Sequence, residues 1–191
     1  YNKVTTESEM DRLLRVSNEH LEVMMIIDID NFKTVNDTLG HREGDHVIKM
    51  IANLIASQFR KSDIVGRVGG DEFCVMMVDV PNMDIALAKV NEMLQIMKYK
   101  PNIPIPEYVT LSIGIASNDR KRTTYEELFK KADEALYNAK HGGKAQFRQY
   151  GHNPVQKLID ERDIAVLFSN NRSVRSIISA SLPNHIRVVE A

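Results

Sequence analysis

The sequence is short of cysteine. Cys74 stands alone among 191 residues, which excludes a disulfide framework and fits a reducing compartment. Long apolar runs are also missing: the longest are strand-sized, well under a membrane span. No charged-then-apolar signal segment opens the chain. A surplus of positive charge is lacking as well. With 25 basic and 26 acidic residues the net charge is −1, which speaks against a nucleic-acid polymer as partner. A small phosphorylated ligand needs only a few local cations and stays open. What is present is a globular composition, 43% hydrophobic and 27% charged, enough for a real core and one domain of ordinary size with some extra length. Tyr1 is not a Met and Ala191 falls in a strand-like run, so the chain reads as a piece of a longer polypeptide.

Hydrophobic periodicity orders the chain. Residues Thr5 to Glu19 read as a short amphipathic helix and Glu22 to Asp30 as a central strand, apolar on both sides. Phe32 to Leu39 has room for one short helix. From Asp45 a stripe of Val47, Ile48, Ile51, Leu54, Ile55 and Phe59 predicts a helix, closed by Arg60 to Asp63. Ile64 to Val68 and Phe73 to Val78 flank Gly69-Gly70 as a hairpin. Met83 to Lys98 is helical, Pro101, Pro104 and Pro106 form a stiff connector, and Tyr108 to Ala116 is a strand. Thr124 to Ala139 is a helix with Thr123 or Thr124 as N-cap, stopped by Gly142-Gly143, and Gln146 to Tyr150 is a last edge strand. The order α-β-α-β-β-α-β-α-β predicts an α+β fold: a mixed, largely antiparallel sheet flanked by helices, of the split-βαβ or palm kind.

Few residues carry chemistry. Alternation puts Asp28 and Asp30 on one sheet face and Ile29 on the other. Asp71 and Glu72 sit at the hairpin tip, and if the two strands are neighbours the acids converge. Two hard carboxylates with open positions and a phosphate ligand make a Mg²⁺ site; the plainer account is solvated strand-end acids. Gly69 and Gly70 either serve the turn or let a ligand approach the backbone. Asp45 either caps the helix after it or, with Asn36, reads a purine edge, since a carboxylate accepts from guanine N1–H and N2–H₂ and adenine lacks those donors. Lys33, Lys140 and Lys144 are the nearby cations; Lys140 and Lys144 lie one turn apart if the helix continues past Gly142. Cys74 belongs to the core, and the six His make no metal spacing.

Gly69-Gly-Asp-Glu-Phe73 resembles the signature of the GGDEF family, the diguanylate cyclases. Asp28-Ile-Asp-Asn-Phe-Lys33, Asn36-Asp37, Gly40-His41, Gly44-Asp45 and Ala132-Asp-Glu-Ala-Leu-Tyr-Asn-Ala-Lys140 accompany it at the family's spacing. The resemblance covers residues 1–150 and implies a palm-like, nucleotide-cyclase-like sheet. It implies condensation of two GTP into cyclic di-GMP and two pyrophosphates in a homodimer, with Mg²⁺ or Mn²⁺, two per active site. Asp28, the Ile29 carbonyl and Asp71 resemble the metal ligands. Asp71, Glu72 and Lys33 resemble the catalytic set. Phe32, Lys33, Asn36, His41, Asp45, Gly69, Gly70, Lys140 and Lys144 resemble the substrate-binding set, with Asn36 and Asp45 on the guanine. Lys144 is often Arg in the family, which here exchanges a bidentate contact for a point charge.

Arg60-Lys-Ser-Asp63 resembles the family's RxxD product-inhibition site, with Arg67 as an accessory contact. The family's opening Asp-x-Leu-Thr-Gly-Leu turn is absent or cut. Residues 151–191 lie outside the resemblance. They read as a linker followed by a β-α-β-like segment, either an extension packing on the cyclase domain or the start of a degenerate receiver-like domain with Ser169-Asn170 where acids belong. The resemblance implies a cytoplasmic domain regulated by sensor or receiver domains, with a membrane anchor in the parent chain left open and no membrane contact by this fragment. The alternative function is a regulatory domain that binds cyclic di-GMP or GTP and makes nothing.

Overall fold

Every residue of β1 (Val23–Asp30) is buried, which makes it the middle of the sheet rather than an edge. The computed structural model describes residues 3–16, 20–100 and 104–151, all within one unit that runs to His152. In chain order the other elements are α1 (Lys3–Val16) before β1, then α2 (Phe32–Leu39), α3 (His41–Gln58), β2 (Ile64–Arg67), β3 (Glu72–Met77), α4 (Met83–Tyr99), β4 (Thr110–Ser117), α5 (Tyr125–His141) and β5 (Phe147–Gln149). The sheet order is β2-β3-β1-β4-β5. All pairs are antiparallel except β4 with β5. This is the mixed, helix-flanked sheet that the element order predicts.

The strand pleat sorts β1 into two cores. Val23, Met25, Ile27 and Ile29 face α3 and α4, where Val47, Ile51, Ile55, Val90, Met93 and Met97 close over them. Met24 and Ile26 face the opposite way, with Cys74 and Met76, onto Met10 and Leu14 of α1 and Leu128, Ala132 and Leu136 of α5. Each large side chain so buried contributes about 1.5–3 kcal/mol relative to exposure. Helix α5 lies very close to β4: a Cβ on Gly114 would strike the Ala132 carbonyl and the Leu136 nitrogen. Helix α5 starts at a capping box, Thr124 accepting from Glu127 N–H and Glu127 accepting from Thr124 N–H. The hydrogen bond from Thr123, then that of the Thr124 backbone, holds the Glu127 carboxyl below its usual range.

Two helix starts differ from expectation. Helix α3 begins at His41, not Asp45, because its first turn is polar and carries no apolar stripe; Gly40, at φ 85°, separates it from α2. Helix α1 begins at Lys3 and is described to Val16, residues 17–19 lying outside the described set. Of the proline connector, residues 104–106 are described, and Lys100 ties them to the end of α4 by donating Nζ to the carbonyls of Pro106 and Glu107. The expected linker and receiver-like segment fall on residues outside the described set. Among the described residues no helix is long and apolar enough to cross a membrane.

Gly114→Ala should lower the unfolding free energy by about 1–3 kcal/mol, since the obstacle is backbone and cannot rotate away. Gly70→Ala, which meets open space, should change it by less than about 1 kcal/mol. Urea unfolding of the two variants checks the contrast, and equal effects would refute the close packing of α5 on β4.

Candidate active site

At the C-terminal end of β1 the alternation that built the core continues with acids. Asp28 and Asp30 fall on the α5 face while Ile29 joins the α3/α4 core, as expected. Asp28 sits opposite Glu72 on β3 and opposite Ser112 on β4. Lys140, in the last turn of α5, places Nζ 2.6 Å from Asp28 Oδ2. The partners experience this pair unequally. The Asp28 side chain is 9% exposed, and burial pushes its carboxyl above the usual aspartate value; Lys140 pulls it back, and Asp71 and Glu72 push it up again. The Lys140 side chain is 34% exposed; burial lowers its affinity for the proton, but the bond and charge of Asp28, with Glu72 and Asp71 nearby, raise it overall. Lys140 is thus paired with one carboxylate and feels the charge of two more. The tip of the hairpin is fixed to the strand end by Ile29 N–H donating to the Asp71 carbonyl at 3.1 Å, one step beyond the last paired residues Asp28 and Glu72.

Asp30 departs from the expected acid pair. It is 2% exposed and its carboxylate is fully engaged: it accepts from Thr110 Oγ1 (2.7 Å), Ser112 Oγ (2.8 Å) and Ala145 N–H (3.1 Å). It belongs to the scaffold, which leaves Asp28, Asp71 and Glu72 as the candidate carboxylates of the site. Helix α5 does not continue to Lys144, so Lys140 and Lys144 are not one helical turn apart. The chain ends α5 at His141 and folds back, Lys144 N–H donating to the Ala139 carbonyl. Lys144 and Ala145 both adopt left-handed backbone, φ 63° and 50°, at a cost of about 1–2 kcal/mol each for such residues. Lys144 Nζ donates to Asn31 Oδ1 at 2.9 Å.

The expected nucleotide residues gather on α2 and α3. Asn36 of α2 packs against Gly44 of α3 so tightly that any Cβ at Gly44 would overlap the Asn36 amide, with the Phe32 ring 3.2 Å away. Asp45 follows Gly44 directly and is exposed. It does not cap α3, whose N-cap is Gly40 with no side-chain bond. His41 opens α3 and Lys33 opens onto solvent from α2. Phe32 is half-buried against the α3/α4 core, so its first function is packing.

Neither Gly69 nor Gly70 adopts left-handed backbone, so the turn does not account for the glycine pair. Instead the Glu72 carboxylate folds over Gly69, where a Cβ would come within 2.8 Å of Oε2, and Gly70 faces open space. Arg67 donates to the carbonyls of Gly69 and Gly70, the latter at 2.6 Å from Nη2. Arg60 is exposed, whereas Asp63 is turned inward: Oδ2 accepts from Arg60 N–H at 2.8 Å and Oδ1 from Val78 N–H at 3.2 Å. Asp63 therefore holds the turn that presents Arg60.

Sequence reasoning passed over Asn31, Thr110, Ser112 and Ala145. Asn31 had a signal, an Asn at a helix N-cap, but it takes αL backbone (φ 61°) and makes no cap bond, its amide being used on Lys144 and on the Tyr108 carbonyl (2.7 Å). The other three are unremarkable in sequence and matter only through Asp30. Among the described residues no three His, Cys, Asp or Glu side chains form a cage for an ion. Asp28, Asp71 and the Ile29 carbonyl are hard oxygen donors in a cluster with surplus negative charge.

A carboxyl raised above its unfolded value stabilises the fold while protonated, and that contribution is lost as pH climbs from 3.8 through the raised value. The stability of Asp28→Asn should therefore gain on that of the native chain across this window and keep that gain at neutral pH. The upward shift of Lys140 acts only above 10.5 and does not enter. Urea unfolding between about pH 4 and pH 7 measures the difference; a gap independent of pH would contradict the assignment.

Comparison with known proteins matches this geometry. The family described as "Diguanylate cyclase, GGDEF domain" matches residues 1–146. The probable diguanylate cyclase DgcT of Escherichia coli is 41% identical over 124 residues, 63% of this chain and 27% of the relative. Diguanylate cyclase TpbB of Pseudomonas aeruginosa is 35% identical over 167 residues, 85% of this chain and 38% of the relative. The chain thus spans well under half of either relative. The crystal structure of the TpbB GGDEF domain superposes with TM-score 0.72 at 34% identity, covering 80% of this chain and 98% of that one. The GGDEF domain of DgcB from Caulobacter crescentus, crystallised with c-di-GMP, gives TM-score 0.70 at 25% identity, covering 79% of this chain and 89% of that one. With its carboxylates, lysines and hairpin arranged on a sheet of this topology, the chain belongs to the GGDEF family of diguanylate cyclase domains.

Proposed function

We propose that this domain condenses two GTP molecules into cyclic di-GMP and two pyrophosphates, one GTP held by each member of a homodimer. The observation that carries the reading is the cluster of Asp28, Asp71 and Glu72 around Lys140, beside the α2–α3 surface that bears Asn36 and Asp45. Asp45 accepts from guanine N1–H and N2–H₂ and Asn36 completes that edge, which selects GTP over ATP. His41 and Phe32 border the nucleotide. Lys33, Lys140 and Lys144 neutralise the phosphates, and Gly69 and Gly70 let them approach the backbone. Asp28, the Ile29 carbonyl and Asp71 would hold Mg²⁺ or Mn²⁺, two per site, which would supply Lewis-acid stabilisation of the charge that develops in the transfer. Asp71 takes the proton of the attacking 3′-hydroxyl, with Glu72 beside it. Phosphoryl transfer asks for such positioning and charge rather than covalent help from the protein. A single domain holds half of the reaction, so a C₂ pairing of two copies fits a symmetric product.

Arg60, presented by the Asp63 turn and flanked by Arg67, is the proposed grip for the product as inhibitor. The relatives' greater length supports sensor or receiver domains as neighbours in the parent chain, and a GTP substrate supports a cytoplasmic location.

Incubation with GTP and Mg²⁺ should yield cyclic di-GMP at a rate that climbs faster than linearly with protein concentration. Asp71→Ala should lose about a hundredfold or more while still binding GTP. Arg60→Ala should keep the initial rate and lose the slowing as product accumulates. No product from a folded chain that binds GTP would leave the non-catalytic binding domain as the better reading.

A further inference from the structure

Lys144 is held in a way that its proposed contact with phosphate does not require. Its backbone is left-handed, its nitrogen returns to the Ala139 carbonyl, and its neighbour Ala145, also left-handed, donates to the buried Asp30. Its ammonium is docked on Asn31 Oδ1. Asn31 in turn is an N-cap residue that makes no cap bond. The orientation of its amide is dictated from both sides: Nδ2 donates to the Tyr108 carbonyl, so Oδ1 must face the ammonium, and the flipped amide would set donor against donor and acceptor against acceptor. Two consecutive residues, the last of β1 and the one after it, therefore fix the loop after α5 twice: the Asp30 carboxylate through the Ala145 N–H and Asn31 through the Lys144 side chain.

We infer that Asp30 and Asn31 are positioning residues that preset Lys144 for the phosphates of the bound nucleotide. A lysine on a four-carbon stem loses rotamer freedom when it grips a ligand, and a stem ordered beforehand removes part of that cost from binding. Tyr108 takes part as the acceptor that sets the amide, and its hydroxyl lies 3.4 Å from Thr38 Oγ1 on α2, so the same network touches the helix that bears Lys33 and Asn36. The inference rests on the reading of Lys144 as a phosphate ligand.

The test is a double-mutant cycle of Asn31→Gly with Lys144→Ala. Glycine accepts the φ of 61° at position 31, so only the amide is lost. Calorimetry with Mg²⁺ would measure binding of GTP bearing a methylene bridge between its α and β phosphorus atoms, and of guanosine as the phosphate-free probe. Asn31→Gly should weaken the triphosphate by about three- to tenfold and guanosine by less than about twofold. In the Lys144→Ala background the same change should cost less than about twofold. Asp30→Asn, which still accepts at one oxygen and lets Ser112 turn its hydroxyl, should stay within about twofold of the native affinity. Asp30→Ala strands three donors, the buried Ser112 hydroxyl among them, and risks the fold, so the Asn31 series decides. Equal weakening of triphosphate and guanosine, or equal effects in both backgrounds, overturns the inference. If Lys144→Ala weakens the triphosphate and Asn31→Gly does not, positioning alone is refuted; if Lys144→Ala has no effect, the phosphate reading of Lys144 falls with it.

Discussion

A carboxylate taken out of water must be given partners or give up its charge, and β1 buries two of them, Asp28 and Asp30, at its polar end. Much of the surrounding structure follows from how each is served. Asp28 draws on Lys140, which fixes how far α5 must extend and how it must be rotated over the sheet. Asp30 draws on two β4 hydroxyls and one loop N–H, which fixes the residues that β4 must present on this face and the path of the chain after α5. The two solutions differ in kind. Neutral donors satisfy Asp30 completely and leave it inert. A single cation serves Asp28 against two neighbouring carboxylates, and the site keeps a surplus of negative charge. One strand end therefore carries two acids on the same face that differ only in what each of them meets.

The features legible in the sequence are those carried by near neighbours in the chain. The stripe from Val47 to Ile55, the apolar run of β1, the hairpin around Gly69-Gly70 and the Thr124 cap each depend on residues a few positions apart, and each is found. The pleat rule also assigned Asp28, Ile29 and Asp30 to their faces. What escaped depends on residues brought together from afar. Thr110 lies 80 positions from Asp30 and Ala145 lies 115, so nothing local separates the acid met by neutral donors from the acid met by a lysine. The start of α3 escaped for another reason: a polar first turn buries nothing except Gly44, and a glycine carries no periodic signal. Its requirement for glycine comes from Asn36, on a different helix.

The hairpin shows how a legible motif can be read for the wrong reason. A glycine pair between two strands ordinarily answers a demand for left-handed backbone, yet here neither glycine is left-handed. Arg67 gives the better account. Its guanidinium covers the carbonyls of both glycines, so the negative ends of those peptide dipoles meet a fixed positive charge instead of facing outward. Above Gly70 there is no side chain to keep a visitor away. A bare backbone with its carbonyls masked by a cation is a surface that an anion can approach closely, beside carboxylates that need a cation of their own. A turn that only has to reverse the chain does not call for an arginine across two of its carbonyls, so the demand that Arg67 meets lies in the surface of the tip and not in its backbone conformation.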